Sequence, residues 1–393
     1  MKSLRVGQII ETLDMGGAEN LAVRLANELA AEGHDSSLII LTKPGPLSER
    51  IDPAVHVHYL DFVRASVRNP IAFALSIRHG RQQLARVINE NKIEVVQTHL
   101  PGSNFLGLLL ELGGICPVLA TIHNNEEFRY GETDNAILIR ARKFAYSQLL
   151  SRGHGIVAVS EDVRTSFMKQ LNCGEELSGR ISVVTNAVPL PDTLGSDEKA
   201  RLRDSLDVRA GVPFILAAGR LSEQKNFRDL ISAAGELRDA GVEFQLIIGG
   251  EGELRPHLEK QVQTLGLTGQ VQLPGMLGNL NQVMQAADIF VMSSLWEGLP
   301  LVLLEAMAAG LPSVAFKIPG IDEVIENRVE GLKVSVGNTG ELATALKELL
   351  TDENSRLSMG AAASETIRRQ YNFKMMIEQL AGLYADALQT TRR

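Results

Sequence analysis

The sequence contains few cysteines and no apolar run long enough to cross a membrane. Its two cysteines, Cys116 and Cys173, lie far apart, which argues against a disulfide framework and against a cysteine metal site. The longest apolar stretch, residues 105–120, is interrupted by Glu111 and by glycines and is too short to span a bilayer. The first residues enter a predicted strand without a small-residue cleavage site. We therefore expect no signal peptide and a cytoplasmic location.

The chain also lacks an excess of positive charge. With 39 Lys and Arg against 47 Asp and Glu, the net charge is −8, which argues against a nucleic-acid partner. The chain has no solenoid-length repeat and no low-complexity segment. It also lacks a Walker phosphate loop, and residues 249–256 do not form Gly-x-Gly-x-x-Gly, so an ATPase or a dehydrogenase is disfavoured. An ordinary apolar content of 45% over 393 residues predicts a globular protein with two domains.

Short apolar runs alternate with helical segments along the whole chain. This alternation predicts α/β domains with parallel sheets covered on both faces. A proline-bearing and then highly charged segment, residues 189–203, is interpreted as the linker between the two domains, and two amphipathic helices end the second domain near Gln370. The predicted strands are residues 4–10, 37–41, 55–60, 94–98, 118–123, 156–160, 214–218, 244–249, 271–275, 288–293 and 314–316.

The stretch of residues 293–313 carries only two charges, Glu297 and Glu305. Glu297 is predicted on a strand-to-helix turn, and Glu305 on an otherwise apolar helix, which favours burial. A buried carboxylate needs hydrogen-bond donors, which backbone amides or the hydroxyls of a ligand could supply. The backbone N–H groups of Gly298 and Leu299 open this helix and form a candidate anion site. Hydroxyls together with phosphate suggest a nucleotide sugar.

Other candidate residues follow predicted strands. Gly16 and Gly17 precede a helix, where glycines either shape the loop or let N–H groups approach a phosphate. Arg220 and Lys225 follow a strand and offer planar bidentate donors and a mobile point charge. His99 and His123 end two strands, where ligands of such sheets bind, although a lone histidine is usually structural.

The pattern Glu-x7-Glu from Glu297 to Glu305, with Gly-Leu-Pro inside it and Glu-Ala-Met-Ala-Ala-Gly-Leu-Pro starting at Glu305, resembles the signature of retaining glycosyltransferase family four. The resemblance covers nearly the whole chain and implies the GT-B fold, with two Rossmann-like domains facing a central cleft. Residues 1–190 would form the acceptor domain, joined by a crossover helix at residues 371–393. Residues 200–370 would bind the nucleotide-sugar donor.

The resemblance also implies roles for individual residues. Glu305 would hold the ribose hydroxyls of the donor, and Glu297 would lie beside the donor sugar and diphosphate. Arg220 and Lys225, in a loop similar to the family's Gly-Arg-x5-Lys, would clamp the diphosphate. The remaining candidates are Gly16 and Gly17, which would face the diphosphate, and His123, near the donor sugar.

The sequence departs from the family at Pro319. Members commonly have glycine-glycine-x-x-Glu there, whereas this chain reads Pro319-Gly320-Ile-Asp-Glu323. The proline could alter the sugar pocket, and Glu323 could be structural.

Two windows of the first half contain no acidic residue, residues 62–89 and 135–160. They could bind an anionic membrane surface or an acidic acceptor, or they could be solvated helix faces. Their basic residues are Arg64, Arg68, Arg78, Arg81, Arg86, Arg140, Arg142, Lys143 and Arg152.

The predicted function is therefore metal-independent, retaining transfer of a sugar from a nucleotide sugar, a UDP-sugar, to a lipid-linked or envelope-polysaccharide hydroxyl, at the inner face of the membrane. The donor is a substrate, and no cofactor is expected. No Asp-x-Asp pair, the metal chelator of the other major glycosyltransferase fold, is present. Two alternatives stay open: a GT-B epimerase or phosphorylase, and an inactive nucleotide-sugar-binding protein.

Overall fold

The structure is a computed structural model that describes residues 3–66, 68–125, 127–128, 136–151, 155–172 and 175–390. The chain divides into two compact units. The first comprises Met1–Asn186 with Phe373–Arg393, and the second comprises Ala187–Asn372.

In the described residues, the first unit contains a seven-stranded parallel sheet in the order β3-β2-β1-β4-β5-β6-β7. Its strands are β1 Arg5–Ile10, β2 Asp35–Ile40, β3 His56–Tyr59, β4 Val95–His99, β5 Val118–Ile122, β6 Ile156–Ala158 and β7 Ile181–Val183. Its helices before the linker are α1 Gly17–Ala31, α2 Pro70–Glu90, α3 Leu100–Leu112, α4 Ala136–Ser151 and α5 Glu161–Leu171, with 3-10 turns at Pro46–Arg50 and Glu175–Arg180.

The described part of the second unit contains a six-stranded parallel sheet in the order β10-β9-β8-β11-β12-β13. Its strands are β8 Phe214–Ala218, β9 Gln245–Gly249, β10 Val271–Gly275, β11 Ile289–Met292, β12 Ser313–Phe316 and β13 Gly331–Val334. Its helices are α6 Ser196–Ser205, α7 Phe227–Asp239, α8 Arg255–Thr264, α9 Leu280–Ala286, α10 Leu301–Ala308, α11 Pro319–Asp322, α12 Thr339–Thr351 and α13 Glu353–Gln370.

The prediction of parallel sheets covered on both faces is confirmed. Central strands such as β4, β5 and β8 are buried at every position, as expected for strands between two helical layers. Each predicted apolar run overlaps an observed strand, and their ends differ by at most two residues. The carboxyl ends of these strands are the edges where the candidate residues lie.

The interpretation of residues 189–203 as a linker was wrong for its charged half. Helix α6 occupies Ser196–Ser205, belongs to the second unit and packs on α9. Glu198 accepts a hydrogen bond from the Gly195 N–H and so caps the helix start, and Arg203 forms an ion pair with Asp288. Charge alone did not distinguish a solvated linker from a surface helix because none of this helix's side chains is buried.

The last helix, α14 Phe373–Thr390, returns to the first unit and packs on α1 and β4. Its apolar face includes Leu380 and Tyr384, which are fully buried. Across the described residues, no helix is both long enough and apolar enough to cross a membrane.

Candidate functional site

Two loops of the second unit come together at the carboxyl ends of β8 and β11. These strands are neighbours in the sheet, so the loops that follow them meet at one edge. The Leu295 N–H donates to the Gln224 carbonyl at 2.9 Å, and the Gln224 amide donates to the Trp296 carbonyl at 2.9 Å. The Ser293 hydroxyl donates to the Lys225 carbonyl, also at 2.9 Å. These bonds fix the backbone of both predicted motifs.

The same two loops form an ion pair between their charged side chains. Lys225 Nζ lies 2.6 Å from Glu297 Oε1, and the two side chains are only 17% and 10% exposed. The sequence predicted both residues as ligands of the donor but did not predict that they contact each other. Their pairing places a cation and an anion side by side at the strand ends.

Gly320 brings the residues after β12 against this turn. A Cβ at Gly320 would lie 2.3 Å from the Gly298 carbonyl oxygen and 2.8 Å from that of Glu297, so only glycine permits this approach. Pro319 occupies the first turn of the short helix α11, where proline is tolerated. Pro319, where this chain differs from the family pattern, therefore does not prevent the close contact of Gly320 with the Gly298 carbonyl.

The predicted helix after Glu297 starts later than expected and is less buried. Helix α10 begins at Leu301 with Pro300 as its N-cap, so Gly298 and Leu299 precede the helix. Glu305 lies on α10 and is half-buried, so the prediction of a buried carboxylate was wrong. Leu301 and Val302 are also half-buried, which shows that one side of this short helix is not covered by the core.

Arg220 has a different environment from Lys225. Its side chain is 78% exposed, and its Nε lies 3.6 Å from a carboxylate oxygen of Glu253. Such an exposed pair holds the guanidinium weakly. Arg220 is therefore free to reorient toward an anion, whereas Lys225 is fixed.

In the first unit, Gly16 is the N-cap of α1 and Gly17 its first residue. A Cβ on Gly16 would lie 2.1 Å from a Glu19 carboxylate oxygen, which shows that the Glu19 side chain folds back over this loop. Burial raises the pKa of Glu19, and the charges of Asp14 and Glu11 raise it further, against a lowering hydrogen bond from its own backbone. An ionised Glu19 would repel a phosphate at this loop. The glycine pattern did not indicate that a carboxylate lies there.

His123 follows β5 and contacts His99 at the end of β4. His99 Nδ1 lies 3.0 Å from His123 Nε2, and His99 Nε2 lies 2.7 Å from Gln8 Oε1. Burial lowers the pKa of His123 to about 4, and burial together with His123 lowers the pKa of His99 well below its ordinary value. Both rings are thus neutral at pH 7. His123 is half-buried and His99 is completely buried, so His99 contacts the His123 ring from the interior of the unit.

The hydrogen bonds continue from Gln8 into the C-terminal helix. The Gln8 amide nitrogen donates to the Tyr384 hydroxyl at 3.2 Å, and that hydroxyl donates to Gln97 Oε1. The Gln97 amide nitrogen then donates to the Thr121 hydroxyl at 2.8 Å. Gln8, Gln97 and Tyr384 were not among the predicted site residues. The available signal for the two glutamines was a polar amide in the middle of each of two buried strands.

A second buried polar cluster surrounds Glu127, which the sequence analysis also missed. Glu127 is 2% exposed, and its Oε1 accepts hydrogen bonds from the Tyr146 hydroxyl at 2.5 Å and from the Asn104 amide at 3.1 Å. Burial raises the pKa of Glu127 to about 7 despite these hydrogen bonds. The carboxyl group therefore titrates near neutral pH.

The basic windows divide into surface and buried residues. Arg64, Arg68, Arg78 and Arg86 are exposed, and Arg81 is half-buried. In the second window Arg140 is exposed, whereas Arg152 lies outside the described residues.

Two cations of the second window are not part of a solvated face. Arg142 is 4% exposed, and its Nε is buried without a hydrogen-bond partner. Lys143 donates to the Gln170 carbonyl and lies 5.3 Å from the centre of the Phe128 ring. For these two residues the expectation of a surface for anions was wrong.

Comparison with known families agrees with this arrangement. A profile of the family described as Glycosyltransferase Family 4 matches residues 15–191, and one described as Glycosyl transferases group 1 matches residues 198–366. The chain belongs to glycosyltransferase family four. The two matches fall on the two structural units and together cover most of this family-four chain.

Curated relatives match the family-four chain over almost its full length. The alpha-D-kanosaminyltransferase of Streptomyces kanamyceticus is 25% identical, over 93% of this chain and 99% of the relative. The UDP-Gal:alpha-D-GlcNAc-diphosphoundecaprenol alpha-1,3-galactosyltransferase of Escherichia coli is 24% identical, over 95% of this chain and 94% of the relative.

Solved structures share the fold of this family-four protein. Anabaena HepE, determined in complex with UDP-glucose, superposes with a TM-score of 0.80 at 19% identity, over 97% of this chain and 99% of HepE. The predicted GT-B fold, with two Rossmann-like domains, is confirmed.

Proposed function

We propose that this glycosyltransferase moves a sugar from a UDP-sugar to a hydroxyl group of an acceptor, with retention of the anomeric configuration. The observation that carries the proposal is the joined pair of loops with Lys225 and Glu297 at the carboxyl ends of β8 and β11. The names of two similar proteins support the donor: the Escherichia coli relative uses UDP-Gal, and HepE was determined with UDP-glucose.

In this proposal, the second unit binds the nucleotide diphosphate. Lys225 and the mobile Arg220 neutralise the phosphates, together with the backbone N–H groups of Gly298 and Leu299. The half-buried carboxylate of Glu305 accepts hydrogen bonds from the ribose hydroxyls. In the first unit, Gly16 and Gly17 approach the diphosphate, and Glu19 must move aside or bind a proton to allow this.

The chemical step is attack by the acceptor on the same face from which the diphosphate leaves. Glu297 is hydrogen-bonded to Lys225, which suits a positioning role for its carboxylate better than that of a free nucleophile. The leaving phosphate takes the proton of the acceptor hydroxyl as the new glycosidic bond forms. Lys225, held in place by its ion pair, and Arg220, which reorients toward the diphosphate, stabilise the charge that develops there. His123 hydrogen bonds the donor sugar.

For the acceptor, we propose a lipid-linked or envelope-polysaccharide molecule used at the inner face of the membrane. A groove of about 570 Å³ between α2 and α3 supports this choice. Its apolar lining and its arginines suit an amphiphile with an anionic head. The lining residues are Phe73, Ala74, Ile77, Phe105 and Leu109, with Arg78, Arg81 and Gln82 beside them.

The outer face of α2 gives further support for membrane attachment. Ile71 and Leu75 are 75% and 60% exposed, and Arg78 follows one turn later on the same face. Exposed apolar side chains beside arginines are typical of helices that lie in a membrane interface.

The proposal is tested by screening the purified protein against UDP-, GDP- and ADP-sugars by thermal shift, followed by transfer assays with the stabilising donor. A donor at 100 times its dissociation constant stabilises the folded protein by about 2.7 kcal/mol. We expect stabilisation by a UDP-sugar and a product with retained configuration by NMR. Release of an epimerised sugar, or binding without turnover toward any acceptor supplied as a cell-envelope extract, would contradict it.

A further inference from the structure

The side chains from His123 to Thr121 form one continuous chain of hydrogen bonds inside the first unit. Two of its six members, Gln8 and Gln97, are amides with one donor end and one acceptor end. With the Gln8 nitrogen on the Tyr384 hydroxyl, the Gln8 oxygen is left for His99. His99 Nε2 must then carry the proton. Its Nδ1 is consequently an acceptor, and it accepts a hydrogen bond from the N–H at His123 Nε2.

Each donor in the chain therefore points the same way, from His123 toward Thr121. The Tyr384 hydroxyl is the member that connects the two amides, since it accepts from Gln8 and donates to Gln97. It is completely buried on α14, where no water competes for these bonds. The chain thus links a residue in the C-terminal helix to the ring at the end of β5.

We propose that Tyr384, acting through Gln8 and His99, is a positioning residue that fixes His123 in the tautomer protonated on Nε2, so that its unprotonated Nδ1 accepts a hydrogen bond from a hydroxyl of the donor sugar. The last part of this inference rests on the proposed function. Within the described residues, the hydrogen bond of the His123 ring is the one to His99. Nδ1 is accordingly available to a ligand.

The opposite arrangement explains why Tyr384 matters. If the side-chain amides of Gln8 and Gln97 both rotated so that their oxygen and nitrogen exchanged places, the direction of every hydrogen bond would reverse. His123 would then carry its proton on Nδ1, and its Nε2 would accept a hydrogen bond from His99. Loss of the Tyr384 hydroxyl leaves the Gln8 nitrogen without an acceptor, which removes the bond that orients this amide. Gln8 can then turn its nitrogen toward His99, and both tautomers of His123 become populated.

The experiment measures the ¹⁵N chemical shifts of the histidine rings in the full-length protein at pH 7.5, without any donor. The His123 signals are assigned by their loss in His123→Gln. We expect wild-type His123 to be protonated on Nε2, and Tyr384→Phe to contain a substantial fraction protonated on Nδ1. Gln8→Met, which interrupts the chain at another member, is expected to give the same mixture if Tyr384→Phe does not fold.

The matched control is Tyr371→Phe, because Tyr371 is also a buried tyrosine whose hydroxyl donates a hydrogen bond, in this case to the Glu323 carbonyl. This variant should leave the His123 signals unchanged. A wild-type ring protonated on Nδ1 would overturn the proposal. So would an unchanged tautomer in a folded Tyr384→Phe.

Kinetics separate this inference from the proposed function, because the ring measurement needs no substrate. With a competent donor, Tyr384→Phe should lower kcat/KM for the donor by about two- to tenfold, the value of one hydrogen bond, without changing the acceptor KM. A changed tautomer with unchanged donor kinetics would overturn the contact between Nδ1 and the sugar. Absence of any transfer by the wild type would refute the proposed function alone.

Discussion

Lys225 and Glu297 lie 72 positions apart in the sequence, yet Lys225 Nζ is 2.6 Å from Glu297 Oε1. Each of the two loops would otherwise present a largely buried, isolated charge, which is costly. The pair therefore stabilises both loops before any donor is bound. It also means that a change at one residue alters the state of the other.

The first prediction concerns this coupling. Lys225→Met and Glu297→Gln should each lower the free energy of unfolding, but the double variant should lose less of it than the sum of the two single losses. We expect a coupling energy of about 0.5 to 3 kcal/mol, as for residues in direct contact. A double-mutant cycle from urea unfolding measures it. Strict additivity would show that the pair contributes nothing. The control is the exposed pair of Arg228 and Glu223, for which the same cycle with Arg228→Gln and Glu223→Gln should give little coupling.

The second prediction is that Glu305→Gln weakens donor binding by about 1 to 3 kcal/mol, since a charged acceptor of hydroxyl hydrogen bonds becomes a neutral amide. Isothermal titration with the donor identified in the thermal-shift screen is the measurement. Glu326→Gln, an exposed glutamate of the same unit, is the control and should bind normally. Equal affinities for Glu305→Gln and wild type would remove Glu305 from the nucleotide site.

The fold could be predicted from the sequence because its signals are local. Strands buried on both faces read as apolar runs, and glycines and prolines mark their ends, as for β8 at Phe214–Ala218. Helix α6 was missed because its side chains are all at least partly exposed, so that no apolar face marks it. The partial exposure of Glu305 was missed because local sequence does not show which side of a helix another element covers.

The candidate sites were predictable only as separate motifs. Contacts such as Lys225 with Glu297, Gly320 with Gly298, and His99 with Gln8 join residues that are distant in sequence. These contacts depend on strand order, which places β8 beside β11 and β1 beside β4. Strand order is not visible in the local patterns of a single sequence. The family resemblance gave a role to each residue but did not say which residues contact each other.

The third prediction concerns pH. The pKa of Glu127 is about 7 in the folded state against an ordinary value of 4.5, so between these values the folded protein binds more protons than the unfolded one. Its contribution to stability is present below pH 4.5 and is lost as the pH rises through 7. The difference of 7 minus 4.5 is 2.5 units, or on the order of 3 kcal/mol.

Glu127→Gln should remove this dependence. Urea unfolding of wild type and variant at pH 5 and pH 8 gives the comparison, and the stability of the wild type relative to the variant should fall by about that amount at the higher pH. The lowered pKa values of His99 and His123 act in the opposite direction, with stability lost as the pH falls below 6.5. They are common to both proteins and cancel. A constant difference would show that Glu127 ionises normally.

The fourth prediction is salt-sensitive binding to anionic vesicles. Arg78 and Arg86 lie on α2 and are exposed, and each arginine near an anionic surface contributes about 1 kcal/mol. Arg78→Gln with Arg86→Gln should reduce sedimentation with phosphatidylglycerol vesicles at low salt, and 0.5 M NaCl should abolish it. Arg201→Gln with Arg209→Gln changes the same charge on the second unit and should have no effect. Wild-type protein that stays in the supernatant would assign these arginines to a solvated face.

The fifth prediction is that transfer proceeds without a divalent metal. Lys225 and Arg220 each contribute on the order of 4 kcal/mol of Coulomb energy to an anion at about 4 Å and an effective dielectric near 20. Repulsion from Glu297, which is paired with Lys225, offsets part of this attraction, and the two cations together with the N–H groups of Gly298 and Leu299 take the place of one Mg²⁺ in this proposal. The initial rate with a competent donor should therefore be the same with and without excess EDTA.

Arg220 is 78% exposed and is held only by a weak pair with Glu253, so its full contribution arises when the diphosphate charge develops. Arg220→Ala should consequently lower kcat more than it raises KM for the donor, whereas Arg209→Ala, another exposed arginine of the second unit, should change neither. Activity that EDTA abolishes and Mg²⁺ or Mn²⁺ restores would show that a metal ion, and not these two side chains, neutralises the leaving group.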